Sequence, residues 1–306
     1  MSDYIEQFRD YLVDTKGVSS NTLESYMRDV NQFISFIRSS EELSAKHDAA
    51  DQSSDGVNSF IEHLRQMNKS SATITRMLAS VRSYYQYLMQ QGVISSNPAK
   101  QIKLERTKKK IPEILTDKEI LELLSMPDVK DNKGVRDKAM LELLYATGIR
   151  VSELINLNVD DVVCQQGMRG EVVCRGAKST RTVPIHPTAV NALLEYKENV
   201  RPMLVSSESG DALFVNLNGA RLSRQGFWKI VKTYAEEANI QKDITPHTLR
   251  HSFALHLYQN GASLHDLQAM LGHADISSTQ MYANISRKAG CNDVYDRCHP
   301  LAARSK

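Results

Sequence analysis

Residues 245–261 read TPHTLRHSFALHLYQNG, and this stretch decides how the C-terminal half is read. Thr245 before Pro246 is a strong helix start. It places a capping side chain ahead of a proline whose fixed φ and missing N–H suit the first helical position. The helix is expected to run to Gly261. His247 and Arg250 then stand three apart in its first turns, sharing a face near the positive end of the helix dipole. A guanidinium fork beside an imidazole at such a terminus suits a phosphate group or a charged phosphorus centre. Alone, the pairing says little, because surface helices produce it often.

Working outward, Ser263 caps a further helix that ends at Gly272. His273 follows at once, and Tyr282 comes nine residues later in a short C-terminal helix. Upstream, residues 146–154 read ATGIRVSEL. Arg150 follows a helix break at Thr147-Gly148 and stands among Leu143, Leu144, Ile149, Val151 and Leu154. An arginine beside a core is costly unless paired. Arg150 is therefore either a salt-bridge partner for Glu153 or a ligand for an anion. Residues 171–175 and 180–185 read as two strands around the turn Gly176-Ala177-Lys178-Ser179, which puts Lys178 at a hairpin tip. Thr116 and Glu119 form a capping box ahead of Ile120, Leu123 and Leu124. A long helix is expected over 134–146, and helices resume near Pro187–Asn199 and from Ser223 onward. This half is mostly α with a small antiparallel sheet.

The first hundred residues carry four amphipathic stripes. Tyr4, Ile5, Phe8, Tyr11 and Leu12 make the first. Leu23, Tyr26, Val30, Phe33, Ile34 and Ile37 make the second, opening at Ser20 or Asn21 with Glu24 completing a capping box on Asn21. Val57, Phe60, Ile61 and Leu64 mark the third. Ile74, Met77, Leu78, Val81, Tyr84, Tyr85 and Leu88 mark the fourth, stopped by Gly92. Tyr84, Tyr85 and Tyr87 read as core packing. Ser39–Asp55 reads as a polar loop. The pattern predicts a compact helical bundle over 1–105, a linker at 106–112 containing the basic run Arg106–Lys110, and a second domain over 113–306.

Composition sets the outer limits. Of 306 residues, 41% are hydrophobic and 24% charged, the profile of a folded globular chain. No apolar run reaches the roughly 20 residues of a membrane span, and the N-terminus lacks the order of a signal peptide, so a cytoplasmic protein is expected. Cys164, Cys174, Cys291 and Cys298 have no metal-finger spacing and read as reduced thiols. His265, Asp266, His273 and Asp275 match no ligand pattern, and two nearby arginines would repel a cation; no metal or cofactor is expected. Net charge is only +2. Residues 1–106 hold 12 Lys and Arg against 13 Asp and Glu, and the remainder 26 against 23. A nucleic-acid partner must therefore be argued from local chemistry.

The segments around Arg150, Lys178, His247 with Arg250, and His273 with Tyr282, in this order and context, resemble the tyrosine recombinase (phage integrase) family, and within it the Xer type. The resemblance spans nearly the whole chain. It implies a DNA-binding, core-binding domain of four helices followed by a mixed catalytic domain. It also implies a metal- and ATP-independent enzyme that cuts and rejoins DNA strands. Tyr282 would be the nucleophile, forming a 3′-phosphotyrosine and freeing a 5′-hydroxyl. Arg150 and Arg250 would clamp the phosphate oxygens and His273 would donate to them. His247 would be the base, and Lys178 the acid for the leaving oxygen, with Arg175 and Arg181 as the other cations of that hairpin. His251 reads as a structural histidine beside the site.

The same resemblance implies a tetramer on two double-stranded DNA sites, exchange through a Holliday junction, and a paralogous recombinase and a DNA translocase as partners. The tail after Arg287 would dock on a neighbouring subunit. The task implied is chromosome dimer resolution during chromosome partition and cell division. The same chemistry would also serve DNA integration by a mobile-element integrase or resolvase, or a type IB topoisomerase. A DNA-binding protein with a decayed site and a metal-dependent nuclease are the readings from other classes.

Overall fold

The computed structural model describes residues 2–39, 54–104, 112–176, 180–273 and 275–289. The chain divides into two compact units, Met1–Lys109 and Lys110–Lys306. The basic run at 106–110, Lys178, most of the polar stretch after Ser39, Cys291, Cys298 and the C-terminal tail lie outside the described residues.

The first unit is built from the four stripes. α1 (Ser2–Asp10) continues through a π-helical turn at Tyr11–Thr15; α2 (Ser20–Ser39), α3 (Asp55–Gln66) and α4 (Ser71–Gln90) follow. Their apolar faces meet in one core around Phe8, Leu12, Val30, Phe33, Phe60, Leu64 and Val81. Tyr84, Tyr85 and Tyr87 are buried in it, Tyr84 meeting Phe8 edge-on with centroids 5.3 Å apart. α2 opens at Ser20, as expected, but its cap differs from expectation. Ser19, not Asn21, supplies the cap, its Oγ accepting from Thr22 N at 3.4 Å. Asn21 and Glu24 already lie inside the helix, so their box cannot form. Asp29 is a buried charge in this unit. It is matched by the Arg76 guanidinium and the Ser80 hydroxyl at 2.8 Å, which offsets the cost of taking it from water.

In the second unit α5 (Asp117–Ser125) opens with the Thr116–Glu119 capping box formed in full. α6 (Asn132–Thr147) is buried along nearly its whole length and ends where Gly148 turns left-handed at φ 58°. α7 (Val151–Asn156) follows. β1 (Val162–Val163), β2 (Gly170–Arg175) and β3 (Thr180–Ile185) form an antiparallel sheet in that order. Val172 pairs with Val162 on one side and Val183 on the other. Val172, Cys174, Val183 and Ile185 point into the core, while Glu171, Arg175, Thr180 and Thr182 face outward, the period-2 alternation of a half-buried sheet. β1 escapes a sequence reading because two residues cannot show an alternation.

The expected helix at Pro187–Asn199 is α8 (Pro187–Leu194), continued by a π-helical stretch Glu195–Val200 into α9 (Arg201–Leu204). α10 (Arg224–Glu237), α11 (Pro246–Gln259), α12 (Leu264–Leu271) and α13 (Ser277–Ala289) complete the unit. α6 packs against α8, α11 and β3, and α11 against α12 and α13. The fold is mainly α with one small antiparallel sheet. No described helix is long and apolar enough to cross a membrane.

Candidate active site

The loop after α6 and the loop after α12 come together over the first turns of α11. Arg250, on α11, is 5% exposed. Its Nη1 donates to the Gly148 carbonyl at 2.5 Å and its Nη2 to the Leu271 carbonyl at 2.7 Å. Arg150, the residue before α7, donates from Nη2 to the Gly272 carbonyl at 2.7 Å. The two guanidiniums are thus aimed by neighbouring carbonyls of one loop. Burial pushes the Arg250 pKa down to about 10, and repulsion from Arg150 adds to this. The group stays cationic at neutral pH.

Glu153 ties the cations together. It accepts from the Arg150 backbone N at 2.7 Å and from Arg150 Nη1 at 3.3 Å. It also accepts both terminal nitrogens of Arg181, at 2.7 and 3.0 Å. Burial opposes its ionisation, but the Arg181 and Arg150 hydrogen bonds prevail and hold it below the usual carboxylate range. Arg181 in turn donates from Nε to the Met270 carbonyl at 2.7 Å. The either-or reading of Arg150 therefore resolves into both roles, one edge on Glu153 and one on the loop carbonyl. Arg181 is committed to this bidentate pair, and Arg175 pairs with Asp161. Of the three hairpin cations, Lys178 lies outside the described residues. Gly176, two residues before it, lines a cleft of about 430 Å³ together with Arg150 and Arg175.

His247, in the first turn of α11, is exposed and lines a second cleft with Arg224 and Trp228. Loss of water around its ring, then Arg250 and Arg224, hold its pKa below the ordinary value. One turn on, His251 is half-buried with Nδ1 2.9 Å from the Tyr282 hydroxyl. Tyr282 has no exposed surface. Burial pushes its phenol up to about 12, with Arg250 pulling the other way. Burial, then His247 and Arg250, push His251 down to about 4. At neutral pH the phenol therefore keeps its proton and donates, and a neutral His251 accepts through Nδ1. His273, following left-handed Gly272, places Nδ1 2.9 Å from the Thr279 hydroxyl. Burial, then Arg250 and Arg150, hold its pKa at about 4.

Arg150, Arg250, His273 and Tyr282 are thus gathered in one site, with His247 at its rim. Three relations were not read from the sequence: the Glu153–Arg181 pair, His251 as the partner of the phenol, and Thr279 as the partner of His273. Spacing offered hints for two of them, since Glu153 falls three residues after Arg150 and Thr279 three before Tyr282. The Glu153–Arg181 pairing spans 28 residues and needs the folded chain.

Residues 113–288 match the phage integrase family, and residues 5–92 match the phage integrase N-terminal SAM-like domain. The chain is 42% identical over 303 residues to the tyrosine recombinase XerD of Listeria innocua serovar 6a, covering 99% of this chain and 100% of that protein. It is 44% identical over 300 residues to the tyrosine recombinase XerD of Oceanobacillus iheyensis, covering 97% and 98%. Among solved structures, it is similar in fold to the XerH site-specific recombinase bound to a palindromic difH substrate, with a TM-score of 0.74 at 19% identity over 94% of this chain and 92% of that one. A lambda integrase dimer bound to a core site gives a TM-score of 0.70 at 17% identity over 92% and 94%. Matches that run through both units, with relatives of near-equal length, leave one assignment: the chain belongs to the phage integrase family and is a site-specific tyrosine recombinase of the Xer type.

Proposed function

We propose that Tyr282 is the nucleophile of this recombinase, with Arg150, Arg250, His273, His247 and Lys178 serving it on double-stranded DNA. One observation carries the reading. Two guanidiniums are held by the carbonyls of Leu271 and Gly272 beside His273, and the Tyr282 hydroxyl of the same chain lies 2.9 Å from Nδ1 of His251, the residue after Arg250.

The chemistry follows from that arrangement. A phosphodiester seated on the two guanidiniums gains charge on its non-bridging oxygens as an oxygen attacks, and donors already aimed there stabilise that charge without reorganising. The Tyr282 oxygen forms a bond to phosphorus and the bond to the 5′-oxygen breaks. The phenolic proton leaves toward the imidazoles of α11, where His251 holds it in the resting geometry and His247 stands one turn nearer the rim. Lys178 gives a proton to the departing 5′-oxygen; Gly176, two residues before it, shares a cleft with Arg150, which supports this role. The phosphotyrosine ester retains the energy of the broken bond, so a second 5′-hydroxyl can reverse the step without ATP.

Relatives of the same length named XerD support a chromosomal task, the resolution of chromosome dimers at cell division. We infer four protomers on two DNA sites with exchange through a Holliday junction, a paralogous recombinase as partner and a DNA translocase as trigger. The test is a nicked suicide duplex carrying the site footprinted in the host's replication-terminus region, incubated in chelator. A covalent protein–DNA adduct is expected with the unchanged protein. Tyr282→Phe should bind the duplex and give no adduct; an adduct that survives this change defeats the assignment.

A further inference from the structure

His273 presents a choice that its own chemistry leaves open. A neutral imidazole carries one proton, and only the form with hydrogen on Nε2 can donate from that nitrogen; the other form would point a lone pair at a phosphate oxygen. A partner that donates to Nδ1 therefore leaves the hydrogen on Nε2. The Thr279 hydroxyl lies 2.9 Å from His273 Nδ1. Thr279 is fully buried, so water cannot readily take over its role. It stands in the first turn of α13, where its backbone N–H already bonds Ile276 O at 2.8 Å. Its hydroxyl can rotate to donate.

We propose that Thr279 is a positioning residue for the recombination reaction: its hydroxyl donates to His273 Nδ1, which keeps hydrogen on Nε2 and turns that N–H toward the phosphate held by Arg150 and Arg250. The inference rests on the functional reading above. The low pKa of His273 is consistent with it, because an imidazole that is neutral at working pH needs its tautomer chosen, whereas a protonated one would donate from both nitrogens. The placement also has a mechanical meaning. Thr279 and Tyr282 lie three residues apart on one helix, and α13 packs against α11 and α12. The element that carries the nucleophile also sets the hydrogen bonding of the phosphate donor. A protomer whose α13 is displaced loses both together.

The experiment compares Thr279→Val, which keeps shape and removes the hydroxyl, with Thr279→Ser, which keeps the hydroxyl. Single-turnover adduct formation is followed on saturating suicide duplex beside His273→Ala and Tyr282→Phe. Thr279→Val should slow the adduct step by about tenfold or more, the scale of losing a partner that orients a functional histidine, with duplex affinity unchanged. Thr279→Ser should restore most of the rate. Adding Thr279→Val to His273→Ala should slow the reaction little further. A Thr279→Val rate equal to that of the unchanged protein while His273→Ala is slow overturns the inference, as does a serine variant as slow as the valine one. A second measurement does not depend on the valine variant folding. Nitrogen-15 histidine spectra of the unchanged full chain should show His273 with hydrogen on Nε2, and hydrogen on Nδ1 overturns the proposal. An adduct in Tyr282→Phe instead defeats the functional reading itself, so the two failures are told apart.

Discussion

His251 and His273 each occupy a place where a proton is unwelcome, buried beside arginines and pushed down to about 4. The sign of the consequence follows from linkage. A group with its folded pKa below its unfolded value of about 6.5 binds fewer protons when folded, so stability is full above pH 6.5 and is lost as pH falls toward 4. Each histidine contributes on the order of 3 kcal/mol across that interval. The melting temperature should therefore fall between pH 6.5 and 5, a window above the titration of Glu153 and Glu119, whose pKa values are lowered. A melting temperature flat across that window would contradict the burial assigned to these rings. At this scale the sequence was a partial guide. It marked Arg150, His247, Arg250, His273 and Tyr282 by type and order. It was silent on the carbonyls of Gly148, Leu271 and Gly272, because a backbone acceptor has no letter. His251 looked structural because its contact with Tyr282 joins residues 31 apart.

Helix ends position the site, and they were the most legible elements. The Thr116–Glu119 box formed as written, and Gly148 and Gly272 both end helices in left-handed backbone. Such signals are local, so a short window holds all of their physics. The Asn21–Glu24 box failed for a related reason: a competing cap two residues earlier, Ser19, took the helix start. Gly148 offers the sharpest test. A Cβ there would overlap the Phe253 ring on α11, on a backbone at φ 58° that costs an alanine about 1–2 kcal/mol. Gly148→Ala should lower stability by about 3 kcal/mol in chemical denaturation. It should also slow adduct formation, because the displaced carbonyl is the one that holds Arg250 Nη1. A variant with unaltered midpoint and rate would show that this helix end does not aim the arginine.

Across the whole molecule, the two units keep separate buried clusters, one around Phe8, Phe33 and Tyr84 in the first, and in the second one around Met140, Leu144 and Phe214 with a smaller one around Phe253, Leu271 and Tyr282. Each unit has an apolar core of its own, the property that lets a domain fold alone. A fragment of residues 112–306 should melt cooperatively and keep the near-ultraviolet dichroism of packed aromatics; a broad, non-cooperative melt would show that it borrows stability from the first unit. In the sequence, a basic, proline-flanked stretch separates the stripes of the bundle from the next capping box.

The two loop carbonyl clusters have an electrical consequence. Gly148 closes α6 and Leu271 with Gly272 closes α12, so both guanidiniums rest against the negative poles of helices, each worth roughly half an elementary charge. The protein thereby supplies its own counter-charge from fixed dipoles instead of dissolved ions. High salt should strip away distant backbone contacts with DNA while leaving this arginine pair seated and aligned.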